Sequence, residues 1–538
     1  MTVDTSALNG LADNDAGRLG DQETADGGGT AVRRWSPFAT AALFLLPTAA
    51  ALVSILKDLG GRQLWRDEHA TWWAAGLSFG DLGHLIRSID AVFTPYYILM
   101  HFWVDAAGDS ASALRLPSAI AMGAAAGLLA LLARRMFTTQ VGVAAGLAFA
   151  VVPTVTRYGQ EARPYAFAVA AVLLSTLLLV RALEQPTFKG WIGYTLSVPL
   201  IGWSHLASMA VLLPHVVIVV IARRRGDHIA AWAYAAAGTM GLCFVLPMAA
   251  AGSTQKGQIS WNNPGTKDLV NLPQHLFGSW AVGAPVMALG LVGLCFAGRY
   301  ALPLALWVLV PPLATYATAA QLHLFLPRYL LFTVPAWVLL AAVAVCRLAG
   351  PVTGRFAGQA PTFRIAVGWV LAAASVAALA WSALPGIREA RGPILGEPDF
   401  RGVARIVEDG QQPHDGIAFG GVMTERRGMA YELRDDSGRP HDVLMARTPQ
   451  QAGMYDAVEC THPDACLAKT DRLWLVTTSP PGLQYVNMPK ATADVLRKEF
   501  RVIRTTKLTD IQVLLLKRVV TAATGSSGDS AADRKVHT

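Results

Sequence analysis

The sequence predicts a polytopic α-helical membrane protein followed by a soluble α/β domain. Of its 538 residues, 53% are hydrophobic and only 15% are charged, and the mean hydropathy is +0.38. Many apolar runs reach the roughly 18–20 residues that cross the hydrocarbon core of a bilayer. From about Gly392 charged residues become frequent again. These observations predict a membrane region at 35–390 and a soluble domain at 391–520, between disordered ends at 1–34 and 521–538.

The first apolar run, residues 39–56, follows the basic pair Arg33–Arg34. Because Lys and Arg concentrate in cytoplasmic loops, this pair places the N-terminus in the cytoplasm. Residues 81–104 are predicted to lie on the outer surface as juxtamembrane helices, because the arginine-rich loops that follow then fall inside. About eleven spans result, and this odd number puts the C-terminal domain outside the cytoplasm. The spans after the first are 115–133, 141–157, 164–183, 191–205, 206–222, 229–250, 276–297, 301–320, 329–347 and 365–384.

The C-terminal region alternates helix and strand patterns. Apolar runs at 416–422, 473–477 and 511–516 predict strands, and amphipathic patterns at 399–408 and 493–500 predict helices. This alternation is typical of a small α/β domain.

Two cysteines of this domain, Cys460 and Cys466, are close in sequence. They lack the paired, closely spaced pattern of a zinc site, and thiols outside the cytoplasm tend to be oxidised. A local disulfide is therefore predicted.

Two adjacent carboxylates, Asp67 and Glu68, follow the first span among three tryptophans. Ionised groups at a membrane surface are costly unless they face water, a partner or a substrate. One interpretation is a solvated loop that the tryptophans anchor at the lipid headgroups. The other is a single polar cavity, which the polar residues at other span ends on the same predicted face favour. Those residues are Arg115, Arg157, Gln160, Glu161, Arg163, Tyr165, His205, Trp261 and Arg328.

The order of the polar motifs carries more information than any one of them. In chain order they are Asp67–Glu68, Pro95–Tyr96–Tyr97, Arg115–Leu116–Pro117–Ser118, the run from Tyr158 to Tyr165, and Arg328–Tyr329–Leu330–Leu331. Over about residues 39–350 this order resembles the GT-C superfamily of integral membrane glycosyltransferases. The most similar branch includes protein O-mannosyltransferases, the lipid A aminoarabinose transferase and many bacterial family-39-like enzymes.

The resemblance implies transfer of a sugar from a polyprenyl-phosphate donor to a cell-envelope acceptor at the extracytoplasmic face. Asp67 would be the general base that deprotonates the acceptor hydroxyl, and Glu68 would orient it or contact the acceptor. Arg163 and Arg328 would hold the donor phosphate. Arg115 either joins them or ties the second span to the surface helix. The candidate acceptor or cavity residues are Gln160, Glu161, Tyr165, His205, Trp261 and Tyr96.

Mannose is the expected sugar, with arabinose or another hexose as alternatives. The expected partners are the lipid-linked donor, a glycan, lipoglycan or protein acceptor, and the lipid of the plasma membrane; nothing predicts nucleic-acid binding. The composition is typical of a high-GC bacterium such as an actinobacterium.

No cofactor or metal is predicted, although a divalent ion near Asp67, Glu68 and His69 remains an alternative. A lipid or polysaccharide transporter or flippase is the alternative function, but no paired halves of the kind found in transporters are visible.

Overall fold

The computed structural model describes residues 36–224, 228–354, 360–420 and 424–519. The predicted disordered ends and the basic pair Arg33–Arg34 lie outside these ranges. The α-helices are α1 (Pro37–Leu56), α2 (Arg66–Ala75), α3 (Phe79–Ser88), α4 (Thr94–Ala107), α5 (Ala111–Met136), α6 (Thr139–Ala150), α7 (Pro153–Gly159), α8 (Tyr165–Glu184), α9 (Phe188–Ser204), α10 (Leu212–Arg224), α11 (His228–Cys243), α12 (Leu246–Ser253), α13 (Thr266–Val270), α14 (Leu272–Phe277), α15 (Trp280–Leu294), α16 (Ala301–Ala317), α17 (Ala319–Leu322), α18 (Val334–Gly354), α19 (Pro361–Arg391), α20 (Phe400–Gly410), α21 (Glu425–Glu432), α22 (Pro449–Ala452), α23 (Pro463–Leu467) and α24 (Lys490–Glu499).

The strands and the short 3₁₀ helices complete the description. The strands are β1 (Gly416–Phe419), β2 (His441–Asp442), β3 (Met445–Arg447), β4 (Val458–Glu459), β5 (Arg472–Thr477), β6 (Phe500–Leu508) and β7 (Ile511–Arg518). The 3₁₀ helices are Ala91–Phe93, Leu206–Val211, Lys256–Ile259, Gly298–Tyr300 and Pro327–Thr333.

Among the described residues, seven helices are long and apolar enough to cross a membrane, and nine if each of two bent pairs counts as one span. α6 and α7 meet at 61°, and α11 and α12 at 48°. Proline stands at the start of both second halves, where it removes a backbone donor and favours a break. Two shorter helices, α9 with 17 residues and α15 with 15 residues, complete the eleven predicted segments. The chain is therefore a multi-pass helical membrane protein, as predicted.

Glycines allow close contact between the membrane helices. A Cβ atom at Gly293 of α15 would lie 2.0 Å from the carbonyl oxygen of Leu340 in α18, and one at Gly159 would lie 2.8 Å from the side chain of Ile55. Lipid tails are as apolar as leucine, so membrane helices associate through such close packing rather than through the hydrophobic effect. The apolar side chains of α18 are largely buried, so this helix lies at the centre of the bundle.

The juxtamembrane helices α2, α3 and α4 share a hydrophobic core of their own. α4 has 14 residues, too few to span a bilayer, as predicted for this segment. The shared core also contains Leu114 from the start of α5 and Tyr431 from the C-terminal domain. The members from the juxtamembrane region are Leu64, Ala74, Ala75, Leu77, Leu82, Leu85, Phe93, Tyr96, Tyr97 and Met100. The C-terminal domain thus packs directly on the segment that carries the two adjacent carboxylates.

The C-terminal domain is built on a five-stranded mixed sheet in the order β2-β1-β5-β7-β6. β1 is parallel to β2 and β5, whereas β7 is antiparallel to both of its neighbours. Alternate residues of β5 enter two different cores: Trp474 packs with α20 and α21, and Leu475 packs with α24. The predicted strands and helices are present, and residues 421–422 of the first predicted strand lie outside the described ranges. The edge strand β6 was missed, because its exposed residues are mostly polar, as is usual at a sheet edge.

Cys460 and Cys466 form a disulfide, and their Cα atoms are 6.7 Å apart. The predicted pairing is therefore confirmed in the structure.

Candidate active site

The loop between α1 and α2 is fixed by side chains from two other span ends. Gln160 donates hydrogen bonds to two carbonyls at and just after the end of α1, both at 2.7 Å. Arg115, near the start of α5, donates to three further carbonyls at 2.9–3.0 Å. The acceptors are Ile55, Lys57, Leu59, Arg62 and Gln63. These bonds satisfy carbonyls that the end of a helix leaves open and set the position of α2.

Glu68 and Arg115 form a buried two-point ion pair. Nε and Nη2 of Arg115 each donate to one carboxylate oxygen of Glu68 at 2.7 Å, and the two side chains are 0% and 1% exposed. The backbone N–H of Ala162 donates to the same carboxylate at 2.9 Å. Burial raises the pKa of Glu68, but the charge and hydrogen bonds of Arg115 outweigh it and lower the pKa to about 2.

This geometry distinguishes between the alternatives for both residues. Glu68 is enclosed by its partners, so it is not placed to contact an acceptor. The guanidinium of Arg115 donates its hydrogen bonds to Glu68 and to backbone carbonyls, so it is not placed to bind a donor phosphate. Of the two alternatives for Arg115, the tie between the second span and the surface helix fits.

Asp67 differs from Glu68 in its exposure and in its side-chain partners. Its side chain is partly exposed, and within the described ranges its carboxylate has no hydrogen-bond or ion-pair partner. Its backbone carbonyl accepts a bond from Thr71 at 3.3 Å and a longer one from Arg163 at 3.4 Å. Asp67 is thus the carboxylate left free to receive a proton or a ligand.

Two cations near Asp67 lack a carboxylate partner among the residues that the structure describes. Arg163 is 5% exposed, and its guanidinium lies 4.2 Å from the centre of the Phe93 ring. Arg328 lies 5.8 Å from the Trp65 ring. The Nε atoms of both arginines are buried without a hydrogen-bond partner, and Asp67 interacts electrostatically with both. A pair of unneutralised guanidinium groups beside a free carboxylate is suited to binding a phosphate and moving a proton.

Aromatic rings line the side of Arg328. The ring of His205 lies 4.4 Å from that of Tyr329 and 5.8 Å from that of Tyr165, measured between centroids. Two predicted cavity residues, Tyr165 and His205, are therefore brought together with Arg328.

Trp261 is not part of this group. Its side chain is 62% exposed, so its role as an acceptor or cavity residue stays a prediction. Its neighbour Asn262 is buried and donates to the carbonyls of His323 and Phe325 at 2.7 and 3.1 Å. Asn262 thereby ties the long loop to the segment that leads to Arg328.

The remaining predicted residues are buried. Glu161 lies 3.5 Å from Nη2 of Arg157, but its carboxylate oxygens have no hydrogen-bond partner in the described part of the chain, and burial raises its pKa. Tyr96 packs its ring against Phe167 at 5.8 Å, and burial raises its pKa as well. Gln160 is a structural residue, because it holds the end of α1.

The sequence analysis missed a hydrogen-bonded group that reaches Arg163 from the C-terminal domain. Tyr97 and Tyr455 both donate to one carboxylate oxygen of Asp90 at 2.7 Å. Arg163 in turn donates to the Tyr97 hydroxyl at 3.4 Å. Tyr97 follows the Pro-Tyr motif and was within reach of sequence reasoning. Tyr455 lies 358 residues further along the chain, and no local pattern marks it.

The residues of the alternative metal site do not come together. The ring of His69 packs against Phe400 and Tyr431 at 5.7 and 5.6 Å, and Glu68 is occupied by Arg115. Burial lowers the pKa of His69 to about 3. In the described ranges, no three or more His, Cys, Asp and Glu side chains are grouped so that they could hold a metal ion.

The chain is similar to known proteins in part of its sequence and in its fold. The family model described as dolichyl-phosphate-mannose-protein mannosyltransferase matches residues 96–250. The structure is similar to ArnT from Cupriavidus metallidurans in the apo state, with a TM-score of 0.59 and 14% identity over 89% of this chain and 98% of that one. ArnT from the same organism bound to undecaprenyl phosphate gives a TM-score of 0.57 and 15% identity at the same coverage.

A weaker likeness is to the oligosaccharyltransferase of Archaeoglobus fulgidus, with a TM-score of 0.47 and 11% identity over 85% of this chain and 71% of that one. No curated protein matches the chain in sequence. The family model begins after Asp67 and ends before Arg328, so those two residues depend on the geometry. The family-model match over residues 96–250 and the fold shared with ArnT agree with the resemblance to the GT-C superfamily of integral membrane glycosyltransferases.

Proposed function

We propose that the chain transfers a sugar, mannose in the first instance, from a polyprenyl-phosphate donor to a cell-envelope acceptor on the extracytoplasmic face. The observation that carries the proposal is the carboxylate of Asp67 beside the guanidinium groups of Arg163 and Arg328, none of which has an ion-pair partner in the part of the chain that the structure describes. Two comparisons support the choice of donor. One ArnT structure is bound to undecaprenyl phosphate, and the matching family model is described by its dolichyl-phosphate-mannose donor.

The chemistry follows from these three groups. Asp67 accepts the proton of the acceptor hydroxyl, and that oxygen forms a bond to the anomeric carbon of the sugar. The bond between the anomeric carbon and the phosphate oxygen breaks, and polyprenyl phosphate leaves with the electron pair. Arg163 and Arg328 stabilise the charge that develops on the phosphate. Groups fixed in advance at such a position supply much of the rate acceleration of an enzyme.

The ion pair of Glu68 with Arg115 supports this reaction indirectly. It fixes α2 against the start of α5, so that Asp67 is presented at a constant position. A displacement of about 1 Å at a catalytic group is enough to lower a rate about 100-fold. We therefore assign Glu68 and Arg115 as positioning residues.

The site lies at the end of the bundle that precedes the C-terminal domain. Arg62, just after α1, donates to the carbonyl of Ala390 at 2.8 Å, and Arg391 donates to the carbonyl of Ser54 at 2.8 Å. These bonds join the ends of α1 and α19. The opposite ends of α5 and α10 carry pairs of arginines, which supports an extracytoplasmic location for the site by the positive-inside rule.

The test is transfer from labelled polyprenyl-phosphate mannose by the purified protein in lipid nanodiscs, with the arabinose donor in parallel. Asp67→Asn keeps the size of the side chain but cannot act as a base, so the rate should fall about 10²–10⁴-fold. Asp105→Asn is the matched control, because Asp105 is exposed on α4, and it should retain wild-type turnover. Near-wild-type turnover of Asp67→Asn would remove Asp67 from the reaction. Movement of the intact donor across the bilayer without transfer would favour a flippase instead.

A further inference from the structure

A cleft of about 510 Å³ lies between α2 and the C-terminal domain. Trp72 and Trp73 of α2 form one side. The opposite side comes from β1, β2, α21 and the loop that carries Tyr455. The cleft therefore adjoins the helix of Asp67 without containing the proposed catalytic groups.

Arg427 lines this cleft and forms no ion pair among the described residues. It is 9% exposed, and its Nε and Nη1 atoms are buried without a hydrogen-bond partner in the described part of the chain. Nη2 makes only a long bond, 3.5 Å, to the carbonyl of Arg66, and the guanidinium lies 4.7 Å from the centre of the Tyr455 ring. A buried cation with unmet N–H groups is costly, so an arriving anion would be bound strongly.

Arginines outnumber carboxylates in the lining of the cleft, whose charged members are Arg426, Arg427, Arg434, Arg439 and Asp442. Arg426 is paired with Asp442 at 2.6 Å and with Glu459 at 3.2 Å. Asp456 interacts electrostatically with Arg427, although no ion pair forms between the two among the described residues. Arg439 also lines the cleft, is exposed and has no carboxylate partner within the described ranges.

The aromatic side chains define the remaining character of the cleft. Trp72, Trp73 and Tyr455 line the cleft, and the Trp73 and Tyr455 rings meet edge to face at 5.5 Å. Aromatic rings beside a few polar groups are typical of small-molecule sites. Such rings pack against the C–H faces of a sugar. The hydroxyls and an acidic group of that sugar would then contact the polar atoms of the cleft.

We propose that this cleft binds an acidic saccharide unit, carrying a carboxylate or a phosphate, of the glycan acceptor. The proposal rests on the proposed transferase function and names the chemical class of its acceptor. Trp73 lies six positions after Asp67 on α2, which corresponds to about 9 Å along the helix axis. The recognised acidic unit is therefore separate from the sugar whose hydroxyl is glycosylated.

The cleft is connected to the catalytic groups by direct contacts. Tyr455, which lines the cleft, lies 2.9 Å from Tyr97 between hydroxyl oxygens, and Tyr97 accepts a hydrogen bond from Arg163. Arg427 contacts the backbone of the residue that precedes Asp67. A ligand in the cleft would therefore order both the Asp67 helix and the group around Arg163.

Binding is tested by calorimetry on the purified full chain in nanodiscs. The acidic probes are trigalacturonate and mannose 6-phosphate, and the controls are maltotriose and inorganic phosphate. We expect the wild type to bind at least one acidic probe and neither control. Arg427→Gln should weaken that binding at least tenfold, because a charge-assisted hydrogen bond is lost. Arg427→Lys should retain part of it, and Arg405→Gln, on an exposed part of α20, should bind like the wild type.

The unfolding midpoint of each variant separates loss of the site from loss of the fold. If Arg427→Gln unfolds early, Trp73→Ala with a normal midpoint serves as the test variant, and it too should bind the acidic probe more weakly. Three outcomes would overturn the assignment. They are unchanged binding of the acidic probe by a folded variant, binding of inorganic phosphate as strong as that of the acidic sugars, and no binding of either acidic probe by the wild type.

The two proposals fail in different ways. Asp67→Asn should bind the acidic probe normally while losing transfer, and Arg427→Gln should raise the KM for an acidic acceptor while leaving the KM for the donor unchanged. Transfer by a wild-type protein that binds neither acidic probe would refute the cleft alone. Probe binding by a protein that transfers no sugar would refute the transferase function and leave a saccharide-binding cleft.

Discussion

Removal of one member of the Glu68–Arg115 pair should destabilise the protein strongly. Both side chains are buried, and Glu68→Gln would leave the guanidinium of Arg115 enclosed with backbone carbonyls and no counter-charge. Breaking a buried ion pair on one side costs about 3–5 kcal/mol. The expected consequence is a markedly lower unfolding midpoint together with reduced transfer.

The measurement is denaturant and thermal unfolding in mixed micelles at neutral pH. Asp494→Asn is the control, because Asp494 pairs with Lys490 on an exposed helix surface, and its midpoint should match that of the wild type. The double variant Glu68→Leu/Arg115→Met should lose less stability than the sum of the single variants, because apolar replacements leave no buried charge.

The pH dependence gives an independent check. Burial acts against ionisation of Glu68, but Arg115 prevails and holds the pKa at about 2, below the ordinary value of 4.5. A lowered carboxyl pKa contributes stability that is complete above the unfolded value and is lost as the pH falls through the folded one. The wild type and Glu68→Gln should therefore differ fully above about pH 4.5 and converge only toward pH 2. A Glu68→Gln protein with a wild-type midpoint and abolished transfer would refute the positioning role and return Glu68 to the reaction.

Three further predictions concern other parts of the molecule. Arg163→Ala and Arg328→Ala should each raise the KM for the donor more than the KM for the acceptor. Lysine at either position should restore only part of the donor affinity, because it lacks the two-pronged fork of arginine. Unchanged donor affinity in both alanine variants would place the phosphate site elsewhere. Burial lowers the pKa of His69 from 6.5 to about 3, so the wild type should lose stability as the pH falls from about 6.5 toward 3. His69→Phe should show a smaller loss in unfolding scans over that range, and identical curves would contradict the burial argument. Cys460 and Cys466 should react with an impermeant thiol reagent on intact cells only after reduction. Labelling without reductant would exclude the disulfide. Protection of both cysteines after reduction would contradict an accessible extracytoplasmic site.

The membrane architecture was predictable because hydrophobic length is a property of contiguous residues. Each of the eleven predicted segments has a helical counterpart, and differences are confined to element ends and to bends such as that at Pro153. The alternation of β5 between two cores was also predictable, since successive side chains of a strand point to opposite faces. Strand β6 was not predicted, because the pattern of its side chains follows exposure at a sheet edge rather than burial. The fold shared with ArnT agrees with the superfamily resemblance, which was drawn from the order of short motifs.

The sequence alone placed Asp67 and Glu68 together at the end of the first span, but it did not distinguish their roles. Neighbours on a helix point about 100° apart, so the partners supplied by the rest of the chain decide what each one does. Arg115 lies 47 positions from Glu68 and neutralises its carboxylate. The carboxylate of Asp67, in contrast, has no ion-pair partner within the described ranges and lies beside Arg163 and Arg328. Tyr455 and Arg427 likewise gain their importance from contacts across more than 350 positions. Such contacts depend on how the C-terminal domain packs against α2, and no local pattern of residues encodes that packing.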